Sequence, residues 1–453
     1  MVQRGSKKTR RIKQISVKDL FGIFHHVIPL NLDERITIIH GPNGFGKTII
    51  LRLLSDLFSR KNSTLRTIPF SEFRVEFEDG ESFWVAKTLN GGRNKHLNPT
   101  QPKITFHASI EGNPEIYTSI PSSRSSRNTL VNRVAAIEQS MSELEYIGRN
   151  HWRHLITEEI LSFEEVIERF DEHLFLVGDG TSNKEKKPDW LNEIRHSVKV
   201  RFIETQRLLY TELSEYEESH TQLTVKAYAE DLAENIKSTL AKSVELSQSL
   251  DSTFPSRVVN FTTQHDLTEG TLRRKLLKLE DKRARLTKVG LLDQESSNVQ
   301  YQNIDDRTRL ILSVYVEDVE RKLAVFDEIA NKIDLLTRII NKRFSYKQIA
   351  INKERGFIFT TSKGATLSPA DLSSGEQHEL VLFYELLFKV APGSLILIDE
   401  PELSLHVAWQ MEFLKDLKEI ADLADLDVLI ATHSPQIIHD RWDLTVQLEG
   451  PER

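Results

Sequence analysis

The eight residues Gly41–Thr48, GPNGFGKT, place glycines, a lysine and a hydroxyl in an order suited to holding phosphate. They fit the pattern G-x-x-x-x-G-K-[ST]. Glycines let the backbone fold around an anion with its N–H groups inward. A helix opening directly behind the loop adds the positive end of its dipole. Lys47 supplies a point charge to terminal phosphates, and the Thr48 hydroxyl is placed to ligate Mg²⁺. A second group of residues follows the apolar run Leu395–Ile398, which suits a strand buried on both faces. Asp399 emerges at the carboxyl end of that strand, where ligands bind in open α/β sheets. It can hold Mg²⁺ directly or through water. Glu400 comes next, turned toward the nucleotide, where a carboxylate can orient or deprotonate an attacking water. His433 closes the run DVLIA near the same edge and is placed to contact a γ-phosphate; Gln206 ends VKVRFIETQ in a similar way. DLSSGEQHE, Asp371–Glu379, is a polar turn opening an apolar helix, with Ser373 or Ser374 as capping residue. Its free N–H groups make it a second anion site for the same dipole reason.

These groups need a scaffold, and the surrounding patterns supply one. Short strands are expected at Ile12–Val17, Phe24–Leu30 and Ile36–His40, then the helix Ile49–Phe58. Two hairpins follow, turning at Asp79-Gly80 and Gly112-Asn113. Ser119–Asn128 reads as a linker and Gly178–Asp189 as a polar loop. Between them, Trp152, Leu155, Ile156, Ile160, Phe163, Val166, Ile167 and Phe170 recur at three- and four-residue spacing, so residues 129–175 are expected to be helical. From about 210 to 345 the chain is rich in Glu, Lys, Leu and Ser with helical periodicity. Thr271–Leu286 shows a charged face with an apolar seam. This region reads as a helical bundle or as a coiled-coil arm. Two equal helices would reach roughly 100 Å, but Pro255 and Asp293–Asp306 are expected to interrupt the pattern and shorten any arm. Strand signals return from Phe344, and the order strand, helix, strand, helix, strand indicates an α/β layer with a largely parallel central sheet. No internal repeat is evident.

The 453 residues carry 39% hydrophobic and 28% charged residues, enough for a sizeable core and for two to four structural units. Cysteine is absent, which excludes disulfides, Cys-ligated metals and a Cys nucleophile. No apolar run approaches the length of a membrane span. The first 13 residues hold six basic groups and no acidic one, without the apolar stretch of a signal peptide. A net charge of −7 excludes a wholly basic nucleic-acid coat, though not a local basic patch.

Together the motifs resemble the ABC-type ATPase heads of the SMC, Rad50 and RecF group. GPNGFGKT looks like the Walker A motif of that group, with Asn43, Gly44, Gly46, Lys47 and Thr48 as nucleotide-binding residues. LSSGEQ, Leu372–Gln377, looks like its signature, with Ser373 and Gly375 facing phosphate and Ser374 in place of the usual first glycine. LILIDE is similar to Walker B, Leu403–His406 sits at the D-loop, His433 at the switch histidine and Gln206 at the Q-loop. Spacing agrees: 27 residues from Leu372 to Asp399, then 34 to His433. The resemblance implies ATP and Mg²⁺ as cofactors, with Thr48, Gln206 and Asp399 on the metal and Glu400 and His433 as catalytic residues. It implies a head-to-tail homodimer in which the signature of one copy meets the Walker A loop of the other.

The expected fold is therefore an α/β P-loop head: a mixed central sheet with flanking helices, an antiparallel β-subdomain and a large helical insertion. The expected divisions are 1–210, 211–345 and 346–453. DEPELSLH resembles the ATPases of overcoming-lysogenization-defect, Septu and PARIS-type anti-phage systems. Twenty residues follow His433, too few for the nuclease domain that overcoming-lysogenization-defect proteins carry, so any effector is expected in trans. The first reading is a cytoplasmic, slowly hydrolysing sensor and scaffold of such a system. The alternative is a RecF-like repair clamp that binds DNA through its basic tail, Arg124 and Arg127. A transporter subunit is disfavoured by the long gap between Lys47 and Gln206.

Overall fold

A computed structural model describes residues 9–59, 62–88, 103–110, 112–119, 144–148, 151–154, 160–162, 188–203, 209–212, 220–260, 268–293 and 304–450. The basic tail before residue 9, the linker after Ser119 with Arg124 and Arg127, and Gln206 lie outside these, as do nearly all of the Gly178–Asp189 loop and most of Asp293–Asp306. The chain forms two compact units. One comprises Met1–Thr205, Thr211–Thr221 and Val390–Arg453; the other comprises Gln206–Tyr210 and Gln222–Lys389.

In the first unit, short β-branched and leucine-rich runs meet as a five-stranded sheet in the order Lys199–Ile203, Ser394–Asp399, Asp427–Ala431, Ile36–His40, Thr445–Gln447. Every pairing in it is parallel. Ile36–Ile39 and Ser394–Ile398 are buried throughout, as expected for strands covered on both faces. The helix Lys47–Phe58 packs on three of these strands. A second sheet is antiparallel and six-stranded: Phe24–Pro29, Ile12–Leu20, Glu72–Phe77, Ser82–Thr88, Lys103–Ile110, Asn113–Ser119. It turns at the two expected hairpins. Its inner face, including Phe73, Val75, Phe83, Val85 and Phe106, joins Leu53, Leu54 and Leu57 of the helix in one core. This is the expected α/β head with an antiparallel β-subdomain, its central sheet parallel throughout the described strands rather than mixed.

One expectation fails. Within 129–175, all the described residues are strands, not helix: Leu144–Gly148, His151–His154 and Ile160–Ser162 form an antiparallel three-stranded sheet. Of the recurring residues only Trp152 and Ile160 are described, both in strands; Leu155, Ile156, Phe163, Val166, Ile167 and Phe170 lie outside the described residues. Tyr146 sits opposite Trp152, which pairs with Leu161 and is fully buried. Burial of Trp152 in a strand outweighed the helical period at this position.

The second unit holds the helices Thr224–Val259, Glu269–Lys288, Asp306–Ala324 and Asp327–Arg343, the hairpin Lys347–Asn352/Gly356–Thr361, and the helix Ser374–Tyr384. The first two helices each pack against Asp306–Ala324, so the region is a bundle. Leu272, Leu276, Leu279 and Leu286 form the buried seam, and the charged face is bridged by Lys275–Glu320 and Lys282–Asp327. Pro255 does not interrupt its helix, contrary to the sequence expectation. Proline removes a backbone donor and crowds the preceding turn. The carbonyl that loses its helical donor is that of Asp251; the turn just before it is braced by Thr253 Oγ1, which donates to the Ser249 and Leu250 carbonyls, and by Arg257, which donates to the Leu250 carbonyl.

The last turns of the apolar helix also depart from the simple pattern. After Tyr384 the chain widens into a π-helix over Glu385–Lys389. In an α-helix, residues five apart point about 140° from each other. The wider turn instead brings Tyr384 and Lys389 to one carboxylate, that of Asp231, each at 2.6 Å.

Candidate nucleotide site

Strand Ile36–His40 delivers the chain to a loop that no ordinary residue could follow. Gly44 and Gly46 both have left-handed backbones, with φ of 86° and 88°. A Cβ on Gly46 would meet Leu20 Cδ2 at 2.5 Å, so this glycine is required both by backbone angle and by space. The loop is braced from below: His26, on the antiparallel sheet, places Nε2 3.0 Å from the Phe45 carbonyl, and Phe24 packs on the Phe45 ring. A carbonyl can only accept, so Nε2 carries the hydrogen. Burial depresses the His26 pKa, keeping it neutral more readily. Gly46 starts the helix with no side-chain cap, leaving its first N–H groups to face the loop. Asn43 and Gly44 stand exposed at the rim.

Lys47 is buried, and its ammonium group donates to the Gly41 and Pro42 carbonyls at 2.9 and 3.1 Å. Its pKa is lowered by burial, offset by the charges of Glu400, Asp399 and Glu402. It also lies 3.4 Å from His433 Nδ1. An ammonium has no acceptor, so Nδ1 presents its lone pair and Nε2 carries the proton. That Nε2 faces Glu400 Oε1 at 3.9 Å. Glu400 itself is held in a left-handed conformation, φ 44°, by its N–H bond to the Ala431 carbonyl. A non-glycine residue pays strain for that conformation, and such outliers concentrate at working sites.

The Thr48 hydroxyl donates to Asp399 Oδ1 at 3.0 Å. Asp399 is raised above the usual carboxylate range, by burial first and then by neighbouring Glu400 and Glu402. A hydroxyl and a carboxylate at this separation, in a field of three acids, fit a hard divalent cation. Among the described residues no cluster of three or more His, Cys, Asp or Glu could hold a metal alone. Mg²⁺ takes one or two carboxylates and completes its shell with phosphate and water, a demand that one carboxylate beside a hydroxyl can meet. Thr48 and Asp399 would hold it, and bound there it would neutralise charge on the phosphates.

Lys47, Thr48, Asp399, Glu400 and His433 thus converge in the first unit. Ser373 and Gly375 lie in the second. Ser373 caps the helix Ser374–Tyr384 in a reciprocal box: Glu376 N–H donates to Ser373 Oγ, and Ser373 N–H donates to Glu376 Oε2. Lys347 donates to the same Glu376 oxygen at 2.6 Å. Gln377 donates to the Ala370 and Leu372 carbonyls, fixing the turn before the helix, and a Cβ on Gly375 would meet open space.

Three residues of the site went unread in the sequence: His26, Glu402 and Gln410. Glu402 accepts from the Thr432 hydroxyl and the His433 N–H, while Gln410 accepts from the Ser434 hydroxyl. Each meets its partner across 19 to 31 residues, a separation at which no spacing rule operates. The third acid of DEPE was the only signal available.

The chain is also similar to known proteins. Protein ea59 of Escherichia phage lambda is 29% identical over 124 residues, covering 26% of this chain and only 23% of that protein. Among solved structures, the Smc head domain of Pyrococcus furiosus, with an extended coiled coil and bound to the C-terminal domain of ScpA, shares 13% identity at a TM-score of 0.30 over 95% of this chain and 91% of its own. The SMC head domain from Thermotoga maritima shares 10% identity at a TM-score of 0.30 over 94% and 91%. The AAA ATPase domain family matches residues 11–438, a span that takes in every group gathered around Lys47 and Asp399. With that site inside a match over nearly its whole length, the chain belongs to the AAA ATPase domain family.

Proposed function

We propose that the chain is the ATP-hydrolysing subunit of a two-component bacterial anti-phage defence system, a cytoplasmic sensor and scaffold that controls a separate toxin or nuclease. The observation that carries the hydrolytic part is the pairing of Glu400 with His433 beside the Lys47 loop and the Thr48–Asp399 pair. Lys47 takes up phosphate charge in exchange for the Gly41 and Pro42 carbonyls. Glu400 orients and deprotonates the attacking water. His433 donates toward the terminal phosphate. Hydrolysis is slow and regulatory.

A second copy, arranged head to tail, brings Ser373 and Gly375 to the phosphates. Leu403, Val407 and Met411 support such a contact. They are apolar, well exposed, and follow the acidic strand at four-residue spacing. The defence role rests on the likeness of DEPELSLH to the ATPases of such systems. Among the described residues no helix is long and apolar enough to cross a membrane.

Glu400→Gln tests the reading at both levels. It keeps the shape but cannot take a proton, so hydrolysis should fall roughly 10²- to 10⁴-fold while Mg²⁺–ATP still binds. In cells that also carry the separate effector, the variant should retain that partner and fail to protect against phage. Parental hydrolysis by the variant removes Glu400 from the mechanism. Salt-dependent DNA binding by the purified chain, with no partner protein recovered, would favour a RecF-like repair clamp instead.

A further inference from the structure

Glu402 has no place in the scheme above, yet its carboxylate is among the best-engaged side chains near the site. Both of its oxygens lie 2.8 Å from the Thr432 hydroxyl, and Oε1 accepts the His433 N–H at 2.9 Å. Thr432 is fully buried. A second tie runs alongside. Gln410, also buried, donates to the Glu402 and Leu405 carbonyls and accepts from Ser434 Oγ at 3.0 Å. Thr432 Oγ1 in turn accepts the Ser434 N–H. The three residues Thr432–Ser434 are therefore gripped on both sides of His433 by side chains from the segment after the acidic strand.

The imidazole needs that grip. His433 is about a third exposed, and its ring contacts are long: 3.4 Å to Lys47 and 3.9 Å to Glu400. Neither is short enough to fix the ring. Its backbone is the firmer reference for its position: the His433 N–H itself donates to Glu402, beside the Gln410 tie to Ser434 and the Thr432 N–H bond to the Ile39 carbonyl.

We propose that Glu402 is a positioning residue for hydrolysis, holding the His433 backbone so that the imidazole stays aligned with Glu400 and the terminal phosphate. The inference rests on the ATPase reading above. It acts through geometry rather than charge. A misplacement of about 1 Å in a reacting group can cost on the order of 100-fold in rate.

The test is steady-state hydrolysis and calorimetric ATP binding on the full chain carrying Glu402→Ala, Glu402→Gln, His433→Ala, and Glu402→Ala with His433→Ala. Glu402→Ala should lower kcat roughly 10- to 100-fold with ATP affinity within about twofold of the parent. Glu402→Gln keeps one oxygen able to accept both bonds and should recover most of the lost rate. The double variant should be no slower than His433→Ala, because residues acting as one unit are not additive. Parental kcat in Glu402→Ala overturns the proposal, and so does a Gln variant as slow as Ala, which would make charge the operative property. Additive losses in the double variant also overturn it, as does a loss of ATP affinity matching the loss of rate. A parent chain that hydrolyses no ATP rejects the underlying reading as well, and is distinguished from these because no variant then differs from it.

Discussion

Replacing Lys47 by alanine removes a buried cation from the loop, along with its bonds to the Gly41 and Pro42 carbonyls. A charge-assisted bond is worth about 1.5–3 kcal/mol. Calorimetry should show ATP affinity reduced by roughly 10- to 150-fold, and equal affinity would remove Lys47 from the site. Asp399 makes a pH-dependent prediction. Its pKa in the folded chain is raised above 3.8 because burial and nearby acids disfavour its charge. Between the unfolded and the raised folded values, the folded chain binds more protons, so stability falls as pH rises through that window. This contribution is fully present below the unfolded value and lost above the folded one. Asp399→Asn still offers an oxygen to Thr48 but cannot ionise. Without Mg²⁺–ATP, its melting temperature should overtake that of the parent as pH rises through the window. Identical pH profiles would refute the assignment. At this scale the sequence was most legible where a short motif encodes its own geometry, as in GPNGFGKT. It was silent on His26 and Gln410, whose bonds to the Phe45 carbonyl and the Ser434 hydroxyl span 19 and 24 residues.

Gly356 ties the hairpin to the long helix Thr224–Val259 and shows how tightly one element can depend on another. Its φ is +72°, and a Cβ there would lie 1.9 Å from the Ala229 carbonyl oxygen. Gly364 has a similar φ of +81° but open space around it. Gly364→Ala should cost about 1–3 kcal/mol for backbone strain alone. Gly356→Ala should cost clearly more, read as a larger drop in urea midpoint. Equal drops would mean that the helix yields freely. Elements were legible where period, turn chemistry and capping agreed: the Asp79-Gly80 hairpin, the buried Ser394–Asp399 strand, and Ser373 opening its helix. The strands around Trp152 were not, because runs of three to five residues are too short to establish a period against a helical coincidence. The π-turn at Glu385–Lys389 was invisible for another reason. It is set by Asp231, more than 150 residues away.

For the whole molecule, the division into two units sets the expectation for Ser373→Arg. Ser373 and Gly375 belong to one unit, and Lys47 and Asp399 to the other. A bulky cation at the cap should leave ATP affinity nearly unchanged. If two copies close around the nucleotide, hydrolysis should fall sharply and lose its dependence on protein concentration. Losing the cap costs about 1 kcal/mol, so the melting curve must be read alongside the rate. Parental hydrolysis would rule out the head-to-tail pair. The helical unit was legible as a region but not as a shape, because the same heptad-like seam serves a bundle or an arm.

The parallel sheet carries one more consequence, for synthesis. Ile36 pairs with Val428, about 390 residues later, and Lys199 pairs with Ser394. At about 5–20 residues per second, the phosphate loop leaves the ribosome roughly 20 to 80 s before the strand beside it. The helical unit, nearly continuous from Gln222 to Lys389, is complete sooner. A nascent chain therefore completes its helical unit before the parallel sheet beside the phosphate loop can close. A partner that recognises the helices alone could dock on a molecule that is still catalytically silent.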